Sequence, residues 1–169
     1  MQLSSGMTLD AWVDPTTSGA WRDVIEKGND EYFLMAPTTP RPGGGIIGGS
    51  YGQVFTSSAL PTSTWSNLAV TYDGSTVRLY LNGAMVDSIA HTGPITSSAN
   101  ALTLGSDPFY GQYFNGLIDE IRIYNKALTA TQIQSDMNTA IGVVASTPLR
   151  SSTSRSSPMG NSSSRARHS

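Results

Sequence analysis

Residues 65–91 constrain the fold more than any other stretch of the chain. Three strand-like runs, 67–72, 76–81 and 84–89, are joined by Asp73-Gly74-Ser75 and by Asn82-Gly83. Asn-Gly tolerates the positive φ angles of a type I′ turn, and the twist of that turn matches the strands on either side. A three-stranded antiparallel meander follows.

The rest of the first 142 residues is read the same way. Leu9, Ala11 and Val13 alternate with Thr8, Asp10 and Trp12, the period of two expected of a strand, and Asp14-Pro15 ends it. Further short runs lie at 23–27, closed by Gly28-Asn29-Asp30, and at 32–36, 46–47, 51–55, 102–104 and 116–124. Between them, residues 37–45 carry three prolines and three glycines and are expected to form a surface loop. Charged residues make up only 13% of the chain, a mix that suits a turn-rich all-β domain better than a helical bundle.

One helix is expected. Thr129-Ala130-Thr131-Gln132 fits a capping box, and Ile133, Met137 and Ile141 form one apolar stripe that should face the sheets. Gly142 is the expected C-terminal cap. Beyond it the chain turns rich in Ser and Arg and poor in apolar residues, so 143–169 reads as a disordered tail after a domain at 1–142.

Charge is divided unevenly. Of the 10 Lys and Arg residues, Arg150, Arg155, Arg165 and Arg167 lie beyond Gly142, where no Asp or Glu occurs. Residues 1–142 therefore hold 6 basic against 12 acidic side chains, a net of −6. Such a domain is a poor nucleic-acid binder and suits cations or neutral ligands. Cysteine is absent, which excludes disulfides, thiolate metal sites and a cysteine nucleophile. No secretory signal and no membrane-spanning run is visible in this chain.

Four segments carry a family resemblance: Met7-Thr8-Leu9-Asp10-Ala11-Trp12-Val13; Val24-Ile25-Glu26-Lys27-Gly28-Asn29; the run from Trp65 to Asp73-Gly74, continuing through Val77 to Asn82-Gly83; and Phe114 to Leu128 around Gly116-Leu117-Ile118-Asp119-Glu120. In this order, followed by the helix, they resemble the laminin G-like domains of the concanavalin A-like lectin/glucanase superfamily. The resemblance implies a two-sheet antiparallel jelly-roll sandwich with one short C-terminal helix. Members usually begin with one more strand, which the six residues before Met7 cannot supply. The expectation is therefore a truncated copy or an open sheet edge able to pair with another chain.

Catalysis is not expected. Related glucanases use carboxylates on alternate residues of one strand face. The nearest pair here, Asp119-Glu120, is adjacent in a strand and should point to opposite faces, with Arg122 next on the Glu120 side. His91 has no nucleophile motif to serve, and His168 lies in the tail. The resemblance also implies one structural Ca²⁺, with Asp119 as the matching ligand and Asp30-Glu31 as the next acidic place to consider. The competing role for Asp119, which should share a face with Leu117, Ile121 and Ile123, is to cap backbone N–H groups or pair with an Arg.

For ligand binding the aromatic loop 107–114 is the candidate, with Asp107, Tyr110 and Tyr113 as contacts. The alternative is that Phe109 and Phe114 plug the end of the core while the tyrosines shield it. Trp12, Trp21 and Trp65 read as packing residues. The expected function is a non-catalytic carbohydrate-binding or adhesion module of a larger exported protein, extracellular or cell-surface, with a glycan or surface protein as partner. The alternative is a structural or protein-interaction module without sugar affinity.

Overall fold

The computed structural model describes residues 3–16, 22–37, 41–47 and 51–142. Trp21 and the Ser/Arg-rich tail lie outside the described residues. Twelve strands and one helix follow in chain order: β1 (Met7–Pro15), β2 (Asp23–Lys27), β3 (Tyr32–Met35), β4 (Gly43–Ile47), β5 (Tyr51–Phe55), β6 (Ser66–Tyr72), β7 (Thr76–Leu81), β8 (Ala84–Ala90), β9 (Leu102–Leu104), β10 (Ser106–Asp107), β11 (Gln112–Tyr113), β12 (Gly116–Tyr124) and α1 (Ala130–Met137). They build two five-stranded antiparallel sheets, ordered β12-β1-β6-β7-β8 and β5-β4-β3-β2-β9, with β10 and β11 as a separate ribbon. The sheets face each other across a core that includes Leu9, Ala11, Val13, Ile25, Leu34, Val54, Val70 and Leu79, all fully buried.

The meander is present as β6-β7-β8, and Asn82 and Gly83 both have positive φ, at 50° and 75°, as a type I′ turn requires. Asn82 does more than tolerate the turn. Its backbone N–H donates to the Asn67 carbonyl, and its side-chain oxygen accepts the Asn67 N–H at 2.9 Å. The expected loop at 37–45 is corrected in its last third, because Gly43, Gly44 and Gly45 lie in β4 between β3 and β5. Glycine is required there by close approach. A Cβ on Gly44 would sit 3.1 Å from Val70 across the core, and one on Gly45 would sit 2.2 Å from the Gly52 carbonyl.

The capping box is formed, with the Thr129 hydroxyl accepting from the Gln132 N–H and the Gln132 side chain accepting from the Thr129 N–H. Ile133 is buried with Ala69, Tyr80 and Leu128 on the outer face of the first sheet. The expected helix end at Gly142 is corrected: α1 stops at Met137 with Asn138 as cap. Ile141 is 55% exposed and takes no part in the stripe. Two side chains of β12 draw the chain off the helix axis. Arg122 donates to the Thr139 carbonyl, and Glu120 accepts the Ile141 N–H at 2.6 Å.

A bulge in β12 overturns the expected alternation there. Asp10 pairs with Arg122 while Trp12 pairs with Asp119, so Glu120 and Ile121 together oppose Ala11, and Glu120 has φ 53°. Ile118 reaches the core before the bulge, and Ile121 and Ile123 reach it after. Asp119 therefore does not share their face: it is exposed, as is Leu117. Glu120 lines the same surface cavity as Asp119 instead of turning away from it. The first sheet ends in β12 and β8, neither of which has a further strand beside it among the described residues.

Candidate functional site

The second sheet carries the candidate site on its outer face. A second bulge places its acids. Asp23 pairs with Met35 and Ile25 with Leu34, so Val24 is the extra residue, and Val24 and Ile25 both enter the core. Asp23 and Glu26, three residues apart, consequently come out on one face. On the far side of β3, β4 offers no side chains: Gly44 faces the core, so Gly43 and Gly45 face outward, next to Met35, Phe33 and Gln53. The β5 backbone fills the space that side chains there would take, with the Val54 and Gly52 carbonyls 2.5 and 2.2 Å from a Cβ at Gly43 and Gly45. A cleft of about 180 Å³ is lined by Asp23, Asp30, Met35, Gln53, Tyr110 and Gln112.

The loop after β10 closes one lip. Asp107 is only 2% exposed, and its Oδ1 accepts the N–H groups of Phe109 and Tyr110 at 2.8 and 3.3 Å. Tyr110 is half exposed, and its hydroxyl donates to Asn29 Oδ1 at 2.8 Å, which ties the loop to the turn between β2 and β3. Phe109 is 70% exposed and stands edge-on to Tyr110, with ring centroids 4.8 Å apart. Of the two phenylalanines expected to plug the core, only Phe114 packs against it. Tyr113 is exposed, and its carbonyl accepts from Arg22 at 2.8 Å.

The cleft is acidic and its carboxyls are reluctant to ionise. Burial, with the nearby charges of Asp107 and Asp30, pushes Asp23 up to about 7. Burial pushes Glu26 up to about 9, against a hydrogen bond from the Asp30 N–H, and Asp30 is raised by burial and by Asp107. Asp23 Oδ2 and Glu26 Oε2 are buried without a hydrogen-bond partner. Of the two cations flanking β2, Arg22 donates to the Tyr113 carbonyl, and Lys27 is taken up by Glu31 at 3.4 Å and by the carbonyls of Ser98 and Asn100. A buried acid of this kind favours a neutral, donor-rich ligand.

Of the residues expected from sequence, Tyr110 lies in the cleft, Asp107 holds its loop from below, and Tyr113 lies on the adjoining ribbon. Asp23, Glu26, Gln53 and Gln112 were not singled out by sequence, and Asp30 was named only as the second acidic place to consider for a metal. A strict period of two puts Asp23 and Glu26 on opposite faces, and only the bulge unites them. Asp119 is on the other sheet. Its Oδ1 accepts the Glu120 N–H at 2.8 Å, and Glu120 is bound to Arg122 at 2.9 Å. Among the described residues no three His, Asp or Glu side chains are grouped to hold a metal ion. A Ca²⁺ ion at Asp119 would have to draw most of its six to eight oxygens from backbone carbonyls and water.

Comparison with known proteins agrees with this architecture. Domain 4 of an extracellular arabinanase from Geobacillus stearothermophilus, solved with arabinotriose, superposes with a TM-score of 0.67 at 23% identity over 80% of this chain and 68% of that one. A candidate carbohydrate-binding protein from Bacteroides ovatus gives 0.66 at 17% identity, over 79% of this chain and 41% of that one. Mouse pappalysin-1 is 37% identical over 87 residues, 48% of this chain but only 5% of pappalysin-1. The family model for the concanavalin A-like lectin/glucanases superfamily matches residues 1–134, and the chain belongs to that family.

Proposed function

We propose that this domain is a non-catalytic carbohydrate-binding module, part of an exported protein, whose ligand lies in the cleft under Tyr110. The observation that carries the reading is Tyr110 itself: a half-exposed ring, fixed through its hydroxyl, at the lip of a trough lined by amides and carboxyls. An aromatic face receives the C–H side of a sugar ring while Gln53, Gln112 and Asp30 take its hydroxyls. Asp107 acts by holding the loop, and Tyr113 meets longer chains on the ribbon. Binding to a sugar chain is what the arabinanase domain does in its arabinotriose complex, and that protein is extracellular.

Hydrolysis is disfavoured by the same geometry. A glycosidase needs one carboxylate ionised and both within reach of the glycosidic bond. Glu26 and Asp23 are 1% and 3% exposed, only Asp23 lines the cleft, and Glu26 stays protonated at neutral pH.

Calorimetric titration with arabinotriose tests the proposal. Tyr110→Ala should weaken binding at least tenfold, which corresponds to about 1.4 kcal/mol, and Gln53→Ala should weaken it less. Unchanged affinity in a folded Tyr110→Ala protein would move the ligand elsewhere. A protein-interaction role is the second reading, favoured by the edge strand β8, where Met85, Val86 and Ile89 are exposed. Failure to bind any glycan, with pairing of copies through β8, would support it.

A further inference from the structure

A second cavity, of about 360 Å³, opens on the far side of the molecule, where the end of α1 meets the outer face of the first sheet. It lies within the size range of small-ligand sites. Trp12, Trp65 and Met137 supply its apolar wall, and Asp119, Glu120 and Asn138 its polar side. Trp65 is 42% exposed, whereas Trp12 is held by its indole N–H, which donates to the Met137 carbonyl at 3.3 Å. A bonded N–H fixes the ring without occupying its π face. Both tryptophans, expected from sequence to be packing residues, thus present surface to solvent or to a cavity.

The charge around the cavity is one-sided. Glu120 is neutralised by Arg122, but Asp119 is exposed, and no Lys, Arg or His lies within ion-pair distance of it among the described residues. Asp10 and Asp136 add negative charge at the same face, where Arg122 is the one cation acting on Asp10. The C-terminal end of α1, which carries no basic side chain in its last turn, adds a partial negative charge. Indole faces and a carboxylate left without a counter-ion attract the same thing.

From the two tryptophans, the unpaired Asp119 and the helix end, we infer that this cavity binds a small organic cation of the alkylammonium class. The indoles supply cation–π attraction, and Asp119 supplies the counter-charge. A neutral apolar ligand would gain nothing from Asp119, and an anion would be repelled. The site is independent of the sugar cleft on the opposite sheet.

Choline is the probe, with 3,3-dimethyl-1-butanol as its uncharged equivalent of the same shape. Saturation-transfer NMR on the whole chain, at constant ionic strength, should show saturable transfer to the choline methyls. The neutral alcohol should bind about fivefold more weakly or worse. Asp119→Asn should erase that preference, and Trp65→Ala should remove choline binding. Arabinotriose should not displace choline. Equal binding of choline and the alcohol to the wild type would reduce the site to an apolar hole and overturn the inference. So would a lack of saturable transfer, retention of the preference in Asp119→Asn, or displacement of choline by arabinotriose.

Discussion

Asn82 and Gly83 illustrate how much one turn holds. Both residues occupy left-handed backbone, and Asn82 also bonds to the neighbouring strand through both its main chain and its side chain. Gly83 has a second constraint, since an added Cβ would lie 2.8 Å from Gln134 Cγ on α1. Gly83→Val should therefore strain the backbone and push the helix, lowering stability by about 1–3 kcal/mol in urea unfolding. A loss confined to the turn would leave the helix contacts intact, and Gly83→Ala would then cost nearly as much as Val. At residue scale, Asn-Gly is legible because φ preference is a local property. The contact with Gln134, 51 residues away, is not.

At the scale of elements, α1 is held by one buried side chain more than by its own propensity. Eight residues make a helix too short to persist alone. Ile133 is fully buried among Ala69, Tyr80 and Leu128, and the capping box secures the N-terminus. Ile133→Ala should destabilise the domain by about 2–5 kcal/mol, read from the urea midpoint at constant slope. The strands β2 and β12 show the opposite case. Their hydrophobic patterns announce strands, yet each bulge shifts which side chains face out. In β2 the shift gathers Asp23 with Glu26; in β12 it brings Asp119 and Glu120 to one cavity. The pattern of apolar residues in β12 did hold a trace of the bulge, since Ile118, Ile121 and Ile123 do not keep one parity.

For the whole molecule, the buried acids set the response to pH. Glu26, Asp23 and Asp10 are raised to about 9, about 7 and about 6, each mainly by burial. The folded state thus holds protons more tightly than the unfolded chain does. Their contribution is fully present below the ordinary carboxyl range and is lost as pH rises through each folded value. Asp73 acts in the other direction: desolvation opposes its charge, but hydrogen bonds from Arg78, Ser75 and Thr76 prevail and hold it well below the usual range. Its contribution is present above the ordinary carboxyl range and disappears in acid. The melting temperature should accordingly be highest at about pH 4, where the unfolded carboxyls titrate, and fall by several degrees towards pH 9. Glu26→Gln should flatten the fall between pH 7 and 9. A melting temperature that rises across that interval would show that Glu26 is charged in the folded protein.

Strand identity, the meander, the capping box and the family were all readable from the sequence, because alternation, turn chemistry and capping act over a few residues. The aromatic loop 107–114 was readable as a loop, and Tyr110 within it is the residue the proposed function rests on. The cleft and the second cavity were decided only in three dimensions. They depend on which face a bulged strand presents, on how near two backbones come at Gly43 to Gly45, and on which distant segment covers a buried acid. Those are properties of register between paired strands, consecutive ones at β2–β3 and β4–β5 and ones from opposite ends of the domain at β1–β12, and no single strand's pattern encodes them.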